Sequence, residues 1–149
     1  MKKVTLAKAL QIKNQLVGDV AALKLQLAQQ NSRPVGQKFD YDAKQLLVRL
    51  QAAIAKLVKV KAAIAVANVK IYEAIFRRAE LKGLVSALAA LDTKSGVFTE
   101  SDYPSRLEVR YRAQLGRTQV DKLVAAGNVE IQALQDELDQ FNVTTLIEV

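Results

Sequence analysis

Arg49, Lys56, Lys70 and Arg77 recur at a spacing of seven or its multiple, which puts four cations on one face of a helix. Such a row can bind phosphates of nucleic acid or another polyanion, or an anionic membrane surface. The ordinary alternative is a solvated helix face. A second basic group, Arg106, Arg110 and Arg112 with Tyr111, lies in a stretch of strand-like alternation. It suits an anion or, by preference, an acidic helix of a partner. Glu73 and Glu80 are seven apart and could in principle share a metal, but helical di-metal sites also draw on histidine, and the chain has none.

The missing residue types narrow the chemistry further. Among 149 residues there is no cysteine and no histidine. Thiolate nucleophiles, disulfides and thiolate metal sites are excluded, and the commonest general base is absent. No Walker-type phosphate loop, dinucleotide glycine fingerprint, nucleophile elbow or calcium loop occurs. The expectation is a protein that is not an enzyme, with no cofactor and no metal. Aromatic residues are few, and no nucleic-acid motif accompanies the basic row. Lys2 and Lys3 resemble the start of a secretion signal, yet Lys8, Gln11, Lys13 and Asn14 interrupt the apolar core that should follow. No apolar run reaches the roughly 18 residues of a membrane span. A cytoplasmic location is expected.

The elements that would carry these residues are mostly helical. Thr5 can cap a helix over 6–30, with Leu6, Ala9, Leu16, Val20, Leu23 and Leu27 at three-four spacing. Gly18 within it suggests close packing or a bend. Asn31-Ser32-Arg33-Pro34-Val35-Gly36 marks a loop. Asp40 or Asp42 can then cap a long helix over 43–91. Its stripe runs Leu46, Leu50, Ala53, Leu57, Val60, Ile64, Ala67, Ile71, Ala74, then Leu81, Val85 and Leu88, interrupted by Arg78. Asn68-Val69-Lys70-Ile71 is weak in helix propensity, but the stripe keeps its phase across it, which favours one continuous or kinked helix over a hairpin. At 1.5 Å per residue that helix would be roughly 74 Å long. Asp92-Thr93-Lys94-Ser95-Gly96 ends it, and loop continues to Pro104. Strict alternation over 107–115 reads as a strand. A last helix over 118–141 carries Val120, Val124, Gly127, Ile131, Leu134, Leu138 and Phe141, and the β-branched tail 143–149 reads as a second short strand.

These lengths predict a mainly α fold: one elongated domain over 1–149, a long-helix antiparallel coiled coil or helical bundle with two short strands, and oligomeric. The first helix should lie antiparallel along the first half of the long one. The two strands could form a parallel crossover within one chain or pair between subunits. The formal charge of +7 divides into +5 over 1–41, +6 over 42–91, 0 over 92–116, −3 over 117–141 and −1 beyond. The acidic last helix, with Glu130, Asp136, Glu137 and Asp139, is therefore a natural neighbour for the basic long one. Leu47, Ile54, Val58, Ile75, Leu84 and Leu91 flank the seam of the long helix. They are the expected oligomer interface, since large exposed apolar patches are unusual on monomers.

Glu73-Ala74-Ile75-Phe76-Arg77-Arg78-Ala79-Glu80-Leu81-Lys82, Ser105-Arg106-Leu107-Glu108-Val109-Arg110 and Asn142-Val143-Thr144-Thr145 resemble segments of a family of small bacterial helical proteins labelled septicolysin-like. The order of elements is similar as well, and none of these segments carries chemistry. The family has a glycine-containing turn between its central helices, where this chain has Asn68-Val69-Lys70. It also has tryptophan after the terminal asparagine, where this chain has Val143. The first departure sets this chain apart from the helix-hairpin geometry of that family.

The expected function is that of a self-assembling structural or scaffold protein with itself as partner. A basic adaptor for nucleic acid or another polyanion is the alternative, and a membrane-active protein a weaker one.

Overall fold

The computed structural model describes residues 2–102 and 105–149. In chain order the elements are β1 (Lys3–Thr5), α1 (Leu6–Gln30), α2 (Ala43–Asn68), α3 (Tyr72–Ala89), β2 (Gly96–Asp102), β3 (Ser105–Tyr111), α4 (Arg117–Thr144) and β4 (Leu146–Glu148). The chain is mainly helical, with two small antiparallel sheets, β1–β4 and β2–β3. Contacts divide it into two compact units, one of Met1–Tyr72 with Asp139–Val149 and the other of Glu73–Leu138.

In the first unit α1 begins where the Thr5 hydroxyl accepts the Lys8 backbone N–H at 3.2 Å. It satisfies one of the donors that a helix start leaves open. Asp42 does the same for α2, accepting from Lys44 at 2.8 Å and Gln45 at 3.4 Å. The two helices bury their stripes against each other. Leu6 and Ala9 meet Val60 and Ile64 at one end, and Val20 and Leu23 meet Leu46 and Leu50 at the other. Early α1 against late α2, and late against early, is an antiparallel pair, as the stripes predict. The connection between them is latched. Asp40 receives Arg33 at 2.7 Å and the Gln30 amide at 3.2 Å, and the Asp40 N–H donates back to Gln30 at 3.1 Å. Gly36, at φ +95°, makes the left-handed step that a side chain would oppose.

The sheet of this unit is a three-residue ladder, Lys3↔Glu148, Val4↔Ile147 and Thr5↔Leu146. Lys2 and Val149 extend it by exchanging backbone hydrogen bonds of 3.0 and 3.1 Å. Two such strands are too short to stand alone. Ile147 anchors them by burying into the cluster of Leu6, Ala9, Val60 and Ile64.

In the second unit α3 and the first part of α4 run antiparallel. Arg77 pairs with Glu130, and eight residues further along α3 Val85 faces Gly127, three residues back along α4. A Cβ on Gly127 would stand 2.5 Å from a Val85 methyl, so the two helices meet closely here. Gly18 in α1, by contrast, has nothing within 4 Å of the place a Cβ would take, and it marks no close packing. β2 and β3 form a hairpin in full register, from Gly96↔Tyr111 to Asp102↔Ser105.

Five sequence expectations need correction. The helix expected over 43–91 is two helices: the ladder breaks at Val69–Ile71. There, N–H groups of Val69 and Ile71 reach back three residues to Val66 and Asn68, at 3.4 and 2.9 Å, instead of four. Asparagine and two β-branched residues make this the weakest stretch of the helix. Val69 stays right-handed at φ −51°, so the break needs no glycine. Ile71 and Ala74 are nevertheless buried, which is why the apolar phase survives. The stretch read as loop before Pro104 contains β2. The strand expected over 107–115 is β3, and it stops at Tyr111 because its partner begins at Gly96. The tail strand is Leu146–Glu148, because α4 runs on to Thr144, past Asn142, with the Thr144 hydroxyl bonded to the Gln140 carbonyl at 2.8 Å. Four strands in two antiparallel pairs replace the two expected strands and their possible parallel crossover.

Candidate interaction surfaces

The four cations expected to form one row fall on different elements. Arg49 and Lys56 flank an open depression of about 490 Å³ between α1 and α2, whose lining also holds Asp19, Gln26 and Leu23. Lys70 lies beyond the end of α2, beside a 580 Å³ hollow lined by Val66, Phe141, Ile147 and Glu148. Arg77 is on α3 in the other unit and holds Glu130 at 2.5 Å. The physical reason is the break at Val69–Ile71, which ends the helix expected to carry all four. The Arg77–Glu130 pair realises one contact between the basic middle and acidic last helix. Both side chains are well solvated, so it sets register more than stability.

The six expected interface residues are mostly in water. On α2, Leu47 is 44 % exposed, Ile54 38 % and Val58 59 %; on α3, Leu84 is 53 % exposed, and Leu91 just beyond it 41 %. Ile75 is partly buried. Leu47, Ile54 and Val58 are seven and four residues apart, so they form one stripe on α2 beside the seam with α1. Their exposure follows from the two-helix layout, since α1 covers only one side of α2.

The β2–β3 hairpin is a surface that sequence reasoning missed in part. Phe98, Leu107, Val109 and Tyr111 share one face, because directly paired residues of an antiparallel ladder point the same way. Phe98 and Tyr111 meet edge to face at 5.8 Å, Lys94 sits 5.2 Å over the Tyr111 ring, and the Tyr111 hydroxyl bonds Glu100. Arg106, Glu108 and Arg110 occupy the opposite face, and Arg112 lies past the end of the strand. The alternation over 107–111 was the visible signal. Its partner Val97-Phe98-Thr99 was hidden among turn formers.

Among the described residues no three acidic side chains gather as a metal site, and no helix is long and apolar enough to cross a membrane. Glu73 and Glu80 are both exposed on α3. Hydrogen bonds from Arg33 and Gln30, with the Arg33 charge, hold the Asp40 carboxyl below its ordinary range, a structural perturbation.

The same arrangement of elements occurs in a solved structure. The crystal structure of a functionally unknown conserved protein from Corynebacterium diphtheriae matches with a TM-score of 0.76 at 19 % identity, over 99 % of this chain and 100 % of that one. At that identity the likeness establishes the fold. No protein-family model matches the chain, and no curated protein does.

Proposed function

We propose that this is a non-enzymatic, self-assembling helical protein, a structural or scaffold component whose copies associate through helix faces that one chain leaves in water. The observation that carries the reading is the exposed stripe of Leu47, Ile54 and Val58 on α2 beside its seam with α1, supported by Leu84 and Leu91. Apolar surface left in water costs about 25 cal/mol per Å². The extent of exposed surface argues the same way. The chain exposes 11215 Å², whereas two separate compact proteins of half its mass would together expose about 9,000 Å². Closed symmetry among identical copies is the usual means of covering such faces. Light scattering and sedimentation across the micromolar range test this. The expected result is a mass above 16.4 kDa that falls when Ile54 and Val58 are both changed to Glu. A monomer at every concentration would overturn it.

A second reading, a basic adaptor for nucleic acid or another polyanion, draws on Arg49 and Lys56 flanking one depression. It requires retention on heparin that weakens steeply with salt, and absence of retention at low salt removes it.

A further inference from the structure

We infer that the outer edge of β3 recognises the same edge in a second copy, pairing antiparallel about a two-fold axis at Val109. The inference rests on the assembly reading and names a surface and register for it. β2 and β3 are seven residues each and paired to one another in a two-stranded sheet. A two-stranded sheet without a third strand or a packed face is marginal in water. β1–β4 escapes that problem through the buried Ile147, whereas on the apolar face of the hairpin Leu107 is 63 % exposed, Phe98 39 %, and Val109 and Tyr111 are only partly buried. β3 contains no proline, and its outer edge presents unpaired N–H and C=O groups, which is a template for another strand.

Charge selects which edge and which register. Centring β3 on Val109 sets Glu108 opposite Arg110 of the second copy, twice by symmetry. It also sets Leu107 opposite Tyr111 twice and Val109 opposite itself. Opposite charges and aromatic–aliphatic pairs are the combinations that stabilise an antiparallel ladder. Neither Glu108 nor Arg110 has an ion-pair partner among the described side chains. Centring on Glu108 would instead face Glu108 with Glu108 and Arg106 with Arg110, which is repulsive. Centring on Leu107 keeps opposite charges but sets Val109 against Ser105, which packs less apolar surface. Among the described side chains of β2 the charged one is Glu100, so self-pairing there forms no opposite-charge pair. Pairing at β3 makes a four-stranded sheet whose apolar face runs across the axis, and an isologous contact of this kind closes on itself.

Two single variants and their mixture test this on the full chain. Glu108→Arg makes positions 108 and 110 both cationic, and Arg110→Glu makes them both anionic. Each alone sets like charges across the axis and should weaken association about tenfold or more. Mixed in equal amounts, each supplies the charges the other lacks, and sedimentation should recover association near that of the wild type. Only pairing between chains predicts recovery on mixing, because nothing changes within either chain. Wild-type mass in both single variants, or no recovery in the mixture, overturns the β3 edge while leaving assembly through α2 standing. A wild-type monomer across the micromolar range overturns both.

Discussion

Gly127→Ala is a sharp test of the α3–α4 packing. In a helix interior, alanine in place of glycine stabilises by about 1 kcal/mol. At Gly127 the added carbon would stand 2.5 Å from a Val85 methyl, about 1 Å inside the usual approach of two carbons. Valine has one strongly preferred rotamer in a helix, so the methyl cannot simply swing away. Forcing a methyl into such a space typically costs about 1–3 kcal/mol, which exceeds the propensity gain. The net expectation is a loss of about 1 kcal/mol, or about 2–4 °C in melting temperature for a chain of this size. Gly18→Ala and Gly83→Ala are internal controls. Nothing stands within 4 Å of either new carbon, so both should stabilise by up to about 1 kcal/mol. Denaturant midpoints at constant slope separate the three variants, and adding Val85→Ala to Gly127→Ala should cost less than Val85→Ala costs in the wild type. If Gly127→Ala stabilises as much as Gly18→Ala, α3 and α4 do not meet at this point and the packing argument fails.

Acid should open the connection between α1 and α2. The Asp40 carboxyl is depressed below its ordinary value of 3.8 by Arg33 and Gln30, so the latch is intact at neutral pH and is lost as pH falls through the lowered value. Carboxyl chemical shifts of Asp40 should titrate below 3.8, and an Arg33→Ala variant should bring the midpoint back up; a wild-type midpoint at or above 3.8 contradicts the latch. Ile147→Ala should cost about 2–3 kcal/mol in denaturant unfolding, as a buried large-to-small change does, and should speed hydrogen exchange at Lys2, Leu6 and Val149, whose N–H groups belong to the β1–β4 seam. Unchanged exchange there would mean that the seam does not depend on the core beneath it.

What could be read from residues alone follows the range of the interactions. The bounds of α1 and the start of α2 were legible because Thr5, Asp42 and the loop around Pro34 act within a few residues. Strand pairing was not legible. Lys3–Thr5 has no pattern of its own, and its partner lies at Leu146–Glu148. The alternation past Tyr111 was equally misleading, since a strand lasts only as far as its partner does. The break after Asn68 was obscured by a sound argument that asked the wrong question. Hydrophobic phase reports which side is buried, and that side stays the same through Ile71 and Ala74 while the hydrogen bonds change. For the surfaces, exposure of Leu47, Ile54 and Val58 was legible from helix geometry. The division of Arg49, Lys56, Lys70 and Arg77 among α2, the turn after it and α3 was not, because the helix expected to carry all four does not continue.

The seam between Lys3–Thr5 and Leu146–Glu148 orders events during synthesis. Residues 73–138 are an insertion within the unit that this seam closes. They can emerge from the ribosome and fold while β1 still waits for its mate. Until β4 arrives, Leu6 and Val60 lack the Ile147 lid, and the nascent chain carries an unsealed apolar end that a chaperone or a neighbouring nascent copy can engage.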